Sequence, residues 1–121
     1  MSLNIRILNG NLKGEEFKLK PGIQIGRKNA DLNIKDAKVS ALHAEIKEED
    51  GRLYIVDCGS RNKITHEKEV VALLELKEGV CFFLGDTQFS ITHSEEEYNP
   101  KSRALKLLSN MDAEIKNSPQ K

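Results

Sequence analysis

Residues 25–43 of this chain, IGRKNADLNIKDAKVSALH, decide the fold and the chemistry expected of it. The pair Gly26-Arg27 directly follows an apolar alternation, and Ser40-x-x-His43 directly precedes another one. A polar connection separates the two motifs, so an arginine at one strand end and a serine at the next strand start can meet in space. A guanidinium offers a planar fork of donors and a hydroxyl offers one more. The two side chains together therefore suit a tetrahedral oxyanion.

Short apolar alternations with glycine and proline turns between them flank this stretch and predict strands. Asp50-Gly51 and Gly85-Asp86 are expected to form tight hairpin turns. Residues 58–68 have no clean periodicity and are interpreted as a long functional loop, whereas 70–76 are interpreted as a short strand with a connecting turn. The pattern favours an all-β antiparallel sandwich over a helical fold. The clearer predicted strands are residues 3–7, 17–19, 23–25, 44–46, 53–57, 80–84 and 88–92.

Composition limits the classes of partner that the chain can have. Its 121 residues are enough for one domain with its own core. The 19 Lys+Arg residues balance 19 Asp+Glu residues, which argues against nucleic-acid or anionic-membrane partners because those need a cationic excess. We expect no secretory signal and no membrane span, because residues 1–6 show no cationic segment followed by an apolar run and no apolar stretch is long enough. The two cysteines fit a reducing compartment. We expect a cytoplasmic protein with a local anion site.

Four motifs in order resemble the pattern of the forkhead-associated (FHA) domain family. They are Gly26-Arg27, Ser40-x-x-His43, the run DCGSRN at 57–62, and Leu84-Gly85. The resemblance covers roughly residues 3–92. It implies an FHA-type β-sandwich that recognises a phosphorylated motif through its loops. We also expect no enzymatic activity and no cofactor, because the sequence has no Gly-rich nucleotide loop and no catalytic or metal-binding motif.

The resemblance also implies a role for each motif residue. Arg27 and Ser40 would hold the phosphate of a phosphothreonine peptide, and Asn62 would bond the ligand backbone beside it. Apart from the resemblance, Arg61 and Lys63 flank Asn62 and would add positive charge at the rim. Gly26 and His43 would support the site without touching the ligand. The partner would be a phosphothreonine-containing protein on another chain, phosphorylated by an upstream Ser/Thr kinase.

The loop after Asn62 departs from the family pattern. Members usually follow this asparagine with Gly and Thr and have a second Asn-Gly a few residues on, whereas this chain has KITHEK at 63–68. Glycine gives easy access to left-handed backbone conformations. We therefore expect a differently shaped loop. The alternative function is a degenerate FHA scaffold that associates with proteins independently of phosphate, including as the N-terminal regulatory module of a longer protein.

Catalytic and metal sites are not expected. The cysteines and histidines lack any paired spacing typical of a metal site. Cys81 is interpreted as a small buried hydrophobe within its strand. We place Ser40 and His43 at a strand start, where residues three apart point to opposite faces, so a hydroxyl–imidazole nucleophile is excluded.

We expect an FHA-type domain at 1–93 and a tail at 94–121. The tail begins with an acidic spacer, and Pro100 behind Asn99 is a favourable helix start. An amphipathic helix over 100–116 is predicted from apolar residues at helical spacing. We expect this helix to serve self-association or domain docking. Its apolar residues are Ala104, Leu107, Leu108, Met111 and Ile115.

Overall fold

The computed structural model describes residues 2–93, which form a sandwich of two β-sheets. The first sheet has the strand order β2-β1-β11-β10-β7-β8 and the second has the order β4-β3-β5-β6-β9. The strands are β1 (Leu3–Ile7), β2 (Glu16–Lys18), β3 (Gln24–Gly26), β4 (Leu32–Asn33), β5 (Ala44–Glu49), β6 (Arg52–Asp57), β7 (Ile64–His66), β8 (Glu69–Val71), β9 (Leu73–Leu76), β10 (Cys81–Leu84) and β11 (Thr87–His93).

The core lies between the two sheets because alternate residues of each strand point inward. Strand β1 pairs with β11 so that Ile5 faces Ile91, and β10 pairs with β11 so that Phe82 faces Phe89. The two phenyl rings are stacked, with their centroids 5.2 Å apart. From the second sheet, Ile25, Ile46 and Ile55 complete the fully buried layer. The all-β sandwich predicted from the sequence is confirmed.

Several details of the prediction were wrong. Strand β4 lies in the polar connection and pairs with β3 in parallel, so the sandwich is not wholly antiparallel. Strand β7 lies inside the segment that was interpreted as a loop. Cys81 is exposed, because the register of β10 turns Phe82 and Leu84 into the core instead.

Three strand ends of the second sheet meet at one end of the sandwich. Ile25 pairs with Ala44, and Ala44 pairs with Asp57, so the end of β3, the start of β5 and the end of β6 are neighbours. The β10–β11 hairpin turns at the same end, because the Asp86 backbone N–H donates to Asp36 in the β4–β5 connection. The loops at this end carry the motifs singled out in the sequence.

The predicted tail helix at 100–116 and the acidic spacer before it lie outside the described residues. Within residues 2–93 no helix has the length and apolar character that a membrane crossing requires. In the same range no group of three or more His, Cys, Asp and Glu side chains could hold a metal ion.

Candidate functional site

Gly26 allows the end of β3 to lie directly against the segment that carries Ser40. A Cβ atom at Gly26 would stand 2.0 Å from the Ala41 carbonyl oxygen and 3.0 Å from the Leu42 Cα. The close contact lets the Arg27 backbone N–H donate to the Ser40 carbonyl at 2.9 Å. Any side chain at Gly26 would force these two motifs apart.

His43 joins the Ser40 segment to the loop after β6. The ring is fully buried; its Nδ1 accepts a hydrogen bond from the Ser40 backbone N–H at 3.0 Å, and its Nε2 lies 2.7 Å from the Lys63 carbonyl oxygen. Since a backbone N–H can only donate and a carbonyl can only accept, the ring proton resides on Nε2. The imidazole thus fixes two loops at once.

Ser40 and His43 were predicted to lie at a strand start, and this was wrong, because strand β5 begins only at Ala44. The argument from opposite strand faces against a Ser40–His43 nucleophile therefore does not apply. Ser40 contacts the ring through its backbone N–H. Its hydroxyl oxygen instead accepts a hydrogen bond from the Arg61 backbone N–H at 3.1 Å. The hydroxyl proton is therefore left for another acceptor.

Asp57, at the end of β6, organises the loop that brings Arg61 and Asn62 to Ser40. Its carboxylate accepts hydrogen bonds from the Gly59 N–H at 2.9 Å, the Ser60 N–H at 3.1 Å and the Ser60 hydroxyl. The Lys63 ammonium lies 3.6 Å away. Burial acts to raise the pKa of Asp57, but these hydrogen bonds and the Lys63 charge outweigh it and hold the pKa below its ordinary value.

Residues 63–68 retain left-handed conformations although the glycines that family members usually have after Asn62 are absent. Lys63 has a φ of 57°, and Glu67 and Lys68 in the β7–β8 turn have φ values of 51° and 69°. The Lys63 backbone is held on both sides, because its N–H donates to the Ser60 hydroxyl and its carbonyl meets the His43 ring. Tertiary contacts thus impose on lysine a conformation that glycine adopts more readily. The missing glycines therefore do not prevent left-handed conformations here, and the differently shaped loop stays a prediction.

A surface cleft of about 550 Å³ lies where these loops meet. Its lining includes three cationic side chains and no carboxylate. The Arg27 Nη1 donates to the Ala37 carbonyl at 3.4 Å, and the Asn62 Nδ2 donates to the Lys38 carbonyl at 2.8 Å. The lining residues are Arg27, Ala37, Lys38, Val39, Ser40, Ala41, Arg61 and Asn62.

Residues 6–95 of the sequence match the family described as the inner membrane component of the type III secretion system, cytoplasmic domain. The chain belongs to this family. Its structure is also similar to solved FHA domains, so the FHA resemblance predicted from the sequence motifs is confirmed. The chain is therefore an FHA-type protein-interaction domain.

Three FHA structures illustrate the similarity. The FHA domain of the CT664 protein from Chlamydia trachomatis is 27% identical, with a TM-score of 0.69 over 78% of this chain and 99% of that one. An FHA domain analysed for phosphothreonine-dependent interactions is 25% identical, with a TM-score of 0.68 over 78% and 98%. The FhaA FHA domain in complex with the intracellular domain of Rv3910 is 26% identical, with a TM-score of 0.66 over 74% and 99%. No curated protein matches the chain significantly.

The FHA cleft contains all four residues that the sequence singled out for ligand contact, namely Arg27, Ser40, Arg61 and Asn62. Gly26 and His43 are buried and do not line the cleft. Sequence reasoning missed residues 37–39, which supply much of the lining. Asp36 could have indicated them, because an aspartate commonly forms a turn in which its side chain accepts the backbone N–H two residues later.

Proposed function

We propose that this FHA domain binds a phosphothreonine-containing segment of another protein, with the phosphate held by Arg27 and Ser40. The main support for this proposal is that, within residues 2–93, hydrogen-bond donors without partners surround a cleft that no carboxylate lines. The Ser40 oxygen already accepts the Arg61 N–H, so its proton can be donated to a phosphate oxygen. A phosphate brings close to two negative charges and three acceptor oxygens, which match a guanidinium and a hydroxyl placed side by side.

Other groups at the cleft support an anionic ligand. Among residues 2–93 the Ala41 backbone N–H and the Arg61 guanidinium have no hydrogen-bond partner. The Arg27 guanidinium makes one long contact to a neutral carbonyl, so most of its donors remain free. The whole chain has a formal net charge of zero, so it exerts no net long-range attraction on an anion. The cations at the cleft therefore attract the ligand only at short range.

Asn62 would fix the peptide rather than the phosphate. Its Nδ2 is committed to the Lys38 carbonyl, which turns the amide into a bridge between the two walls of the cleft. Its Oδ1 is then the atom free to accept a backbone N–H from the bound peptide. This role follows the family resemblance and agrees with the position of Asn62 in the lining.

The ligand would come from another chain. The sequence has three threonines, and all of them lie in strands, namely Thr65 in β7 and Thr87 and Thr92 in β11. Thr87 is buried, and the Thr92 hydroxyl donates to Glu16. The domain would thus act in recruitment in the cytoplasm, downstream of a Ser/Thr kinase, while residues 94–121 would serve self-association or docking to a further domain.

A peptide titration tests the proposal. A library of phosphothreonine peptides, with matched phosphoserine and unphosphorylated sets, is titrated against the full chain and against Arg27→Ala. We expect only phosphorylated peptides to bind, and Arg27→Ala to weaken binding by about 2–5 kcal/mol because a charged partner is lost. Ser40→Ala should weaken it by about 1–3 kcal/mol.

Arg52→Ala is the matched control. Arg52 is also an exposed arginine at a strand end, but it begins β6 at the β5–β6 hairpin and does not line the cleft. Its removal changes net charge by the same amount and should leave affinity unchanged. Equal binding by Arg27→Ala and the unmodified chain would refute the phosphate site, and equal binding of unphosphorylated peptides would favour the phosphate-independent scaffold.

A further inference from the structure

The Asp36 carboxylate connects the cleft wall to the β10–β11 hairpin. One oxygen accepts the Asp86 backbone N–H and the Thr87 hydroxyl, both at 2.8 Å. The other oxygen accepts the Lys38 backbone N–H at 2.9 Å. Asp36 is half-buried and does not line the cleft. Three donors from two separate chain segments therefore converge on one side chain.

The contact to Lys38 shapes the turn that becomes the cleft wall. An aspartate that accepts the N–H two residues later forms an Asx-turn, and here the Val39 N–H also donates to the Asp36 carbonyl at 2.9 Å. The turn buries the Val39 side chain in the core while residues 37–39 line the cleft. Ser40 follows immediately, so the turn sets the place of its hydroxyl.

The hairpin packs against this turn without spare room. A Cβ atom at Gly85 would stand 2.9 Å from the Lys38 Cβ and 3.0 Å from an Asp36 carboxylate oxygen. The Lys38 ammonium lies 3.4 Å from the Asp86 carboxylate. The Asn62 Nδ2 donates to the Lys38 carbonyl at 2.8 Å. The wall is thus clamped between the hairpin and the loop after β6.

We propose that Asp36, held by Thr87 of the hairpin, is a positioning residue that sets the cleft wall for the phosphorylated ligand. The inference rests on the proposed function. Asp36 would act through Lys38 and Ser40 without touching the ligand.

The charge of Asp36 is compatible with a phosphate nearby. An unpaired carboxylate beside an anion site would repel the ligand. Burial acts to raise the pKa of Asp36, but its hydrogen bonds from Lys38, Thr87 and Asp86 and the Lys38 charge outweigh it and hold the pKa below its ordinary value. The carboxylate therefore stays ionised at the pH at which the phosphate is doubly charged. Its negative charge is offset by its three hydrogen-bond donors and the Lys38 ammonium.

The test compares Asp36→Asn and Thr87→Val with Thr87→Ser and Asp31→Asn in the full chain. Asp31 is the matched control, because it also accepts a backbone N–H, from Gln24 at 2.8 Å, but has no contact to the cleft wall. The best phosphothreonine peptide of the library is titrated at a temperature well below every melting transition. Amide hydrogen exchange of residues 37–41 is measured without ligand.

We expect Asp36→Asn to weaken binding by about tenfold, the scale of one lost charge-assisted hydrogen bond, and to speed exchange at the Lys38 amide. Thr87→Val should act in the same direction, whereas Thr87→Ser and Asp31→Asn should bind like the unmodified chain. A lower melting temperature for Asp36→Asn with unchanged affinity and unchanged exchange at 37–41 would overturn the positioning role.

A failure of the proposed function has a different signature. If no phosphothreonine peptide binds the unmodified chain, the binding proposal fails. The positioning role toward a phosphorylated ligand then fails with it. The exchange measurement still decides whether Asp36 orders the turn: unchanged exchange in Asp36→Asn overturns that part too, and faster exchange confined to 37–41 supports that part alone.

Discussion

Removal of the His43 imidazole tests how the cleft is built. His43→Ala leaves the Ser40 N–H and the Lys63 carbonyl without their partner and empties a fully buried position. An unsatisfied buried polar group costs about 1–3 kcal/mol. Because Ser40 is half-buried and Lys63 is exposed, water can reach both groups, and we expect a total loss of roughly 2–4 kcal/mol of unfolding free energy.

This loss is measurable by thermal unfolding and by peptide titration. About 1 kcal/mol shifts the melting temperature of a domain of this size by roughly 4–8 °C, so we expect a decrease of roughly 8–32 °C. Phosphopeptide affinity, measured below the lowered transition, should fall too because the Ser40 segment is no longer fixed. His93→Ala, at an exposed position at the end of β11, is the control and should change neither quantity. A His43→Ala protein with the stability and affinity of the unmodified chain would refute the bracing role.

Three further outcomes are expected. Glu67→Asn with Lys68→Gly should raise the unfolding free energy by about 1 kcal/mol in denaturant titrations, because both positions have positive φ; no gain would show that the turn is unstrained. Since the pKa of Asp57 is lowered on folding, its ionised form stabilises the domain above pH about 4, and this stabilisation is lost as the pH falls through the lowered pKa. The melting temperature of Asp57→Asn should therefore fall less steeply with decreasing pH than that of the unmodified chain. Parallel pH profiles of the two proteins would contradict this. Gly26→Ala should cost about 1–3 kcal/mol or more because its Cβ would meet the Ala41 carbonyl, and an unchanged melting temperature would contradict the close packing.

The longer strands and the tight turns could be predicted from the sequence because their signals are local. Apolar alternation marks β1, a continuous apolar run marks β6, and Asp50-Gly51 does form a two-residue hairpin, with Glu49 paired to Arg52. Strands β4 and β7 have only two and three residues, which is too short for a periodic signal. They exist because neighbouring strands supply their hydrogen bonds, and no local pattern records that.

The site was predictable where motifs carry the information and hidden where distant contacts do. Spacing and family resemblance placed Arg27 and Ser40 at one cleft. The bond between Asn62 and Lys38 joins residues 24 apart, and the bond between Asp36 and Thr87 joins residues 51 apart. Such contacts follow from the packing of complete loops, so single-sequence patterns could not reveal them.

The outer strands of the sandwich determine how it can associate. Strands β2, β4, β8 and β9, which end the two sheets, have only two to four residues each, and a single residue, Ala72, separates β8 from β9. Long free edges invite another chain to add a strand, and short ones discourage it. Within residues 2–93 the domain therefore offers little edge for another chain to pair with by strand addition. A partner can bind and leave at the loops while the sheets themselves stay closed to such pairing.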